Sequence, residues 1–120
     1  MNELGMIKAF AELEDIKVEL VDPDFDSMFY ATIGENKQIE EYNPLLPNSL
    51  NCAARDKYRV EISYHTQFDC GPDGSGSYDI PYATASTEKH HSNTPLNNVS
   101  SEAICFVVIE CILKSEGLWK

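Results

Sequence analysis

Residues 100–114, SSEAICFVVIECILK, are the most apolar stretch of a chain whose formal charge is −11 at pH 7. Ser100 or Ser101 can cap a helix running to about Ser115, and Gly117 suits the left-handed position just beyond its end. Only Glu102, Glu110, Lys114 and Glu116 are charged in this region. Glu110 and Lys114, four apart, can share one narrow exposed strip. A helix apolar on nearly every other side is ordinarily buried. One sheet covers one side of it, so the pattern calls for a second cover, either the N-terminal helix or another subunit.

The rest of the chain supplies elements for such a core. Asn2 can cap a helix from Glu3 to about Glu14 with Leu4, Ile7, Phe10, Ala11 and Leu13 at helical spacing. Ile16, Val18 and Leu20 alternate with Lys17 and Glu19 as a short strand, which Asp22-Pro23 ends. Segments 28–33 and 37–42 flank Gly34-Glu35-Asn36 as a hairpin. Asn48 or Ser49 can cap a short helix from Leu50 to about Lys57, and Val60, Ile62 and Tyr64 form a further strand. The glycine-rich segment 67–77 predicts a loop to an antiparallel strand over 78–86. Pro81 places that strand at an edge or marks its start, because proline donates nothing to a ladder. Segment 87–99 reads as a second polar connection. These elements predict one α+β domain over residues 1–120, a two- or three-layer α/β sandwich. Its mainly antiparallel sheet has about four or five strands, packed by the N- and C-terminal helices.

Length and composition set further bounds. At 42% hydrophobic and 24% charged residues, the chain lies in the ordinary globular range. Its start mixes acids with apolar residues and predicts no secretory signal, and no apolar run reaches the ~20 residues of a membrane span. A reducing cytoplasm is therefore expected, with Cys52, Cys70, Cys105 and Cys111 as thiols. Residues 1–41 hold eleven acids and three bases, net −8, and residues 42–120 nine acids and six bases, net −3. Direct nucleic-acid binding is excluded on this balance, since it relies on Lys and Arg replacing counterions. A basic protein surface is the natural counterpart.

Few residues suggest chemistry. Asp22, Asp24 and Asp26 alternate like the opening of a calcium loop, but Ser27 and Ile33 stand where its glycine and bidentate glutamate belong. His65 and Cys70 flank the glycine-rich loop and His90-His91 lie in the later one. No Cys-x-x-Cys or His-x-x-x-His pair fixes two ligands on one element. As a nucleophile Cys70 would face repulsion of its thiolate by Asp69, Asp73 and Asp79. Neither a metal nor a cofactor is expected, and non-enzymatic action is favoured. A ligand-binding or enzymatic module would instead use loops 65–79 and 87–99, lined by His65, Cys70, Asp73, Tyr82, His90 and His91. Self-association through the apolar helix, as a homodimer, is a third reading.

Three segments in order, YNPLLPNSLNCAARDKYRVEI (42–62), PYATAS (81–86) and NTPLNNVSSEAICFVVIECILK (93–114), resemble the NinX-like family of small phage-encoded proteins. The likeness rests on a Tyr-x-Pro turn before a short helix and strand, an aromatic-x-Ala pair on a later strand, and a Thr-Pro motif before the final helix. Asn48 to Leu50 and Tyr82 stand where that family usually has tryptophan. The resemblance implies an alpha-beta-alpha sandwich and an accessory protein of a phage or prophage in a bacterial cytoplasm, and supplies no catalytic residues. The acidic charge, separately, makes a basic host or phage protein the expected partner.

Overall fold

The computed structural model describes residues 1–22, 28–70 and 77–119, the side chains of 68–70 and 77–79 excepted. Element order is α1 (Glu3–Leu13), β1 (Glu19–Val21), β2 (Phe29–Ile33), β3 (Ile39–Glu41), α2 (Ser49–Lys57), β4 (Glu61–Cys70), β5 (Ser77–Ser86), β6 (His91–Asn93) and α3 (Ser101–Ser115). All three helices start at the expected caps: the side chains of Asn2, Asn48 and Ser100 accept from the backbone N–H of Gly5, Asn51 and Ala103. Each also ends the same way. Asp15, Arg59 and Gly117, at φ of 55°, 53° and 73°, follow the three C-caps. The next residues, Ile16, Val60 and Leu118, donate back to Ala11, Arg55 and Leu113. These are three Schellman closures, each delivering an apolar residue to the core.

α3 is the centre of the molecule. It packs on α1, on α2, and on β5 and β6. Cys105, Val107, Val108, Ile109, Cys111, Ile112 and Leu113 are buried, which closes about two thirds of the circumference at ~100° per residue. Burying each large apolar side chain contributes roughly 1.5–3 kcal/mol. The remaining strip carries Phe106, Glu110 and Lys114, and the latter two form an ion pair at 3.1 Å. Lys114 Nζ also sits 5.4 Å from the Trp119 ring centroid. The charge-poor helix is thus covered from several sides within one chain, with its few charges on the uncovered strip.

The strands do not make one sheet of four or five. Among the described residues six strands form two antiparallel three-stranded sheets, ordered β1-β2-β3 and β4-β5-β6. The division follows from α2. It stands between β3 and β4 in the chain and docks on α3 through Asn51. The first sheet packs on α1 through β2, the second on α3 through β5 and β6. The terminal helices therefore do pack on sheet, each on a different one.

Two boundaries differ from expectation. β4 and β5 run ten residues each, from Glu61↔Ser86 to Cys70↔Ser77, so much of the segment expected as loop is ladder. β6, expected as coil, pairs Thr84↔Asn93 and Ser86↔His91 and makes β5 a central strand. Pro81 consequently sits mid-strand rather than at an edge. This is tolerated because β6 stops short of it: its ring nitrogen faces no strand partner, and its carbonyl accepts from Asn97 N–H at 2.8 Å. The radius of gyration is 17.2 Å with a longest extent of 63 Å, against ~14 Å expected for a compact chain of this length. The β4–β5 ribbon, ~33 Å long at strand rise, supplies a projecting arm.

Candidate protein-interaction surface

Beginning with the residues singled out by sequence, the structure strings them along the ribbon rather than gathering them. His65 and Tyr82 are cross-strand partners with stacked rings, 5.2 Å between centroids, and Ser63 Oγ lies 3.0 Å from His65 Nε2. Such a pair is ordinary sheet packing. Cys70 lies five residues further along β4, ~17 Å away at strand rise. His90 and His91 lie toward the other end, at the β5–β6 turn, where His91 pairs with Ser86 and both histidines are exposed. Four residues separate Ser86 from Tyr82, ~13 Å. The His90 carbonyl serves structure, accepting from Thr87 N–H and from the Cys111 thiol at 3.3 Å. Asp22 is exposed after β1, while Asp24, Asp26, Asp73 and the Cys70 side chain lie outside the described residues. Among the described residues no three His, Cys, Asp or Glu side chains gather as metal ligands. Nor is any helix long and apolar enough to cross a membrane.

A different arrangement emerges from packing. Glu3, in the first turn of α1, lines two grooves at once. One, of about 540 Å³, runs over the N-terminal half of α3 and is lined by Ala103, Phe106 and Val107 with Glu102 and Glu110. The other, of about 140 Å³, lies between α1 and the first sheet and is lined by Leu4, Met28, Phe29 and Tyr30 with Glu41. Among the described residues neither groove has a Lys or Arg in its wall. Three other surface hollows each contain at least one: Lys8, Lys8 with Lys17, or Lys57 with Arg59 and Lys89.

Each carboxylate has a local reason for its place. Glu3 and Glu102 stand in the first turns of α1 and α3, where the helix dipole favours negative charge. Glu41 ends β3 at a sheet edge, where charge blunts edge pairing. Glu110 belongs to the uncovered strip of α3 and is matched by Lys114. Glu3, Glu41 and Glu102, by contrast, are exposed and take part in no ion pair among the described residues. The combined surface therefore offers aromatic and aliphatic floor, carboxylate rim and unneutralised charge. The sequence signalled the excess charge of the first 41 residues; that Glu102 and Glu110 join it required the packing of α1 on α3.

Compared with known protein families, with curated proteins and with solved structures, the chain matches none.

Proposed function

We propose that this chain is a non-enzymatic interaction protein whose acidic surface around Glu3 takes a basic, partly apolar segment of another protein. The observation that carries the reading is the pair of grooves sharing Glu3, the larger mainly apolar and the smaller mixed, with carboxylates in both walls and no cationic lining among the described residues. A partner's Lys or Arg stem covers apolar floor while its head meets a carboxylate. Charge of one sign over such a surface accelerates encounter and selects against acidic partners, nucleic acid among them. The resemblance of segments 42–62, 81–86 and 93–114 to NinX-like proteins supports a phage or prophage accessory role in a bacterial cytoplasm, with the partner a basic host or phage protein.

The test is binding of the immobilised protein to basic proteins of a bacterial lysate across ionic strength, with Glu3→Gln/Glu102→Gln and Glu3→Lys/Glu102→Lys as variants. Wild type should hold a partner at low salt and release it as salt rises past the point where the Debye length falls below ~8 Å. Neutralisation should weaken capture and reversal abolish it. An empty pull-down at low salt, or undiminished capture by a folded charge-reversed variant, defeats the proposal.

A further inference from the structure

The described strands expose four sheet edges, and three are protected. β1, β3 and β6 are three residues long, and the first two carry Glu19, Glu40 and Glu41. β4 is the exception: ten residues long, with β5 as its only ladder partner. From Ile62 to Gln67 it bears no Asp, Glu, Lys, Arg or Pro. Short length, charge and proline are the usual means by which natural edges avoid pairing, and β4 uses none of them here.

The free backbone groups of this edge can be assigned. Ala83 N–H donates to Thr94 Oγ1, its carbonyl accepts from Thr94 N–H, and the Pro81 carbonyl accepts from Asn97 N–H. The backbone of these two β5 residues thus faces away from β4. Their β4 partners, Tyr64 and Thr66, occupy the non-bonded positions of the β4–β5 ladder. By the same alternation Ile62, Tyr64 and Thr66 turn their own N–H and C=O to the open edge. Among the described residues no backbone group bonds to them there. Tyr64 itself is 68% exposed, the highest value among the described large hydrophobic residues.

We propose that β4 pairs antiparallel with β4 of a second copy across a two-fold axis at Tyr64. The product is a continuous six-stranded sheet, β6-β5-β4-β4-β5-β6. A second copy is the occupant the charges favour. In a chain of net −11 most faces repel their own kind, whereas Ile62 to Gln67 is a neutral stripe. A dyad at Tyr64 sets Tyr64 against Tyr64, Ser63 against His65 and Glu61 against Gln67, so no like charges face one another. It also makes the outward groups of Ile62 and Thr66 reciprocal partners, as an isologous contact demands. The buried faces of α3 take no part; the homodimer expected through that helix is relocated to this edge. The inference is independent of the acidic-surface reading, which involves α1, the first sheet and the start of α3.

Sedimentation velocity of the full chain over a concentration series, combined with hydrogen exchange of individual amides, tests this. The expected result is a species of twice the 13.5 kDa chain mass with slow exchange at Tyr64 and Thr66. Tyr64→Pro, which deletes the ring and an outward N–H but no β4–β5 ladder bond, and Thr66→Lys, which places a cation on the edge, should each yield folded monomer with unchanged far-ultraviolet circular dichroism. A wild-type monomer at every concentration with fast exchange at Tyr64 overturns the proposal, leaving the edge to water or to a strand from another protein. A dimer whose Tyr64 amide exchanges fast, or one that survives both substitutions, places the interface elsewhere and overturns it equally.

Discussion

Asn51 on α2 donates its side-chain amide to two backbone carbonyls at once, Pro44 at 2.7 Å and Cys105 at 3.0 Å. The second bond joins α2 to the central helix across 54 residues of sequence, and Asn51 is only 4% exposed. Both neighbours are acceptors, so only an amide nitrogen satisfies them. Asn51→Ala should lower unfolding free energy by about 2 kcal/mol, the net loss of two buried hydrogen bonds. Asn51→Asp should be worse near neutral pH, since a carboxylate would face two carbonyl oxygens, and should recover as acid protonates it into a donor. Denaturant titration of both variants at pH 7 and pH 4 reads the difference.

Tyr42 offers the opposite case, a buried polar atom without a partner. Its hydroxyl makes no hydrogen bond among the described residues although the residue is 3% exposed. Burial first, then the charge of Glu14 and the Tyr58 ring nearby, push its pKa up to about 12 from 10. Tyr42→Phe should therefore stabilise by about 1 kcal/mol, the desolvation no longer uncompensated. The pH dependence has a definite sign. With the folded pKa above the unfolded one, stability is whole below pH 10 and falls by about 1 kcal/mol per unit between pH 10 and 12. Thermal melts from pH 9 to 12 should show that limb in wild type and flatten it in Tyr42→Phe.

The three helix ends predict a reversal of the usual rule that glycine destabilises. Arg59 and Asp15 hold left-handed φ values of 53° and 55°, where a Cβ is crowded. Arg59→Gly and Asp15→Gly should each be stabilising or neutral, by up to about 1 kcal/mol, despite the added freedom of the unfolded chain. Gly117→Ala at φ 73° should cost about 1 kcal/mol. Urea midpoints of the three variants decide it, and Arg59→Gly falling well below wild type would show that the arginine side chain matters more than the backbone.

These ends also show what sequence could and could not convey. Asn2, Asn48 and Ser100 were legible as caps because a cap is a local device, a side-chain oxygen three residues from the N–H it serves. Gly117 was legible because glycine marks a left-handed site by its chemistry. Asp15 and Arg59 occupy the same conformation with residues that advertise nothing, since core placement of Ile16 and Val60 imposes it. The same distinction governs the strands. β2 and β3 announced themselves by a hairpin around Gly34, whereas β6, HSN, has no apolar alternation and exists only because β5 offers an edge beside α3. Pro81 argued correctly that a donor was missing but could not say that β6 would stop before reaching it. Of the candidate surface, the acidic bias of residues 1–41 was visible, but its meeting with Glu102 and Glu110 depends on helix packing between residues about a hundred positions apart.

Thiol reactivity provides a test of the central helix that needs no substitution. Cys52 is exposed on α2, whereas Cys105 and Cys111 are buried on α3. Burial raises the pKa of both α3 thiols, reinforced at Cys105 by Cys52 and Glu102 and opposed at Cys111 by Thr87 and Ser115. Only the thiolate alkylates, so accessibility and ionisation act together against them. Cys105 keeps 9% exposure one turn into the helix, while Cys111 keeps none and donates to the His90 carbonyl. With iodoacetamide at pH 8, labelling should run Cys52, then Cys105, then Cys111. For Cys111, modification must await opening of the core, which for a domain of ordinary stability slows it on the order of a thousandfold or more relative to Cys52. Peptide mass spectrometry over time gives the three rates. Equal rates at Cys52 and Cys111 would mean that the apolar helix is not enclosed, and with it would fall the two-sheet arrangement built around α3.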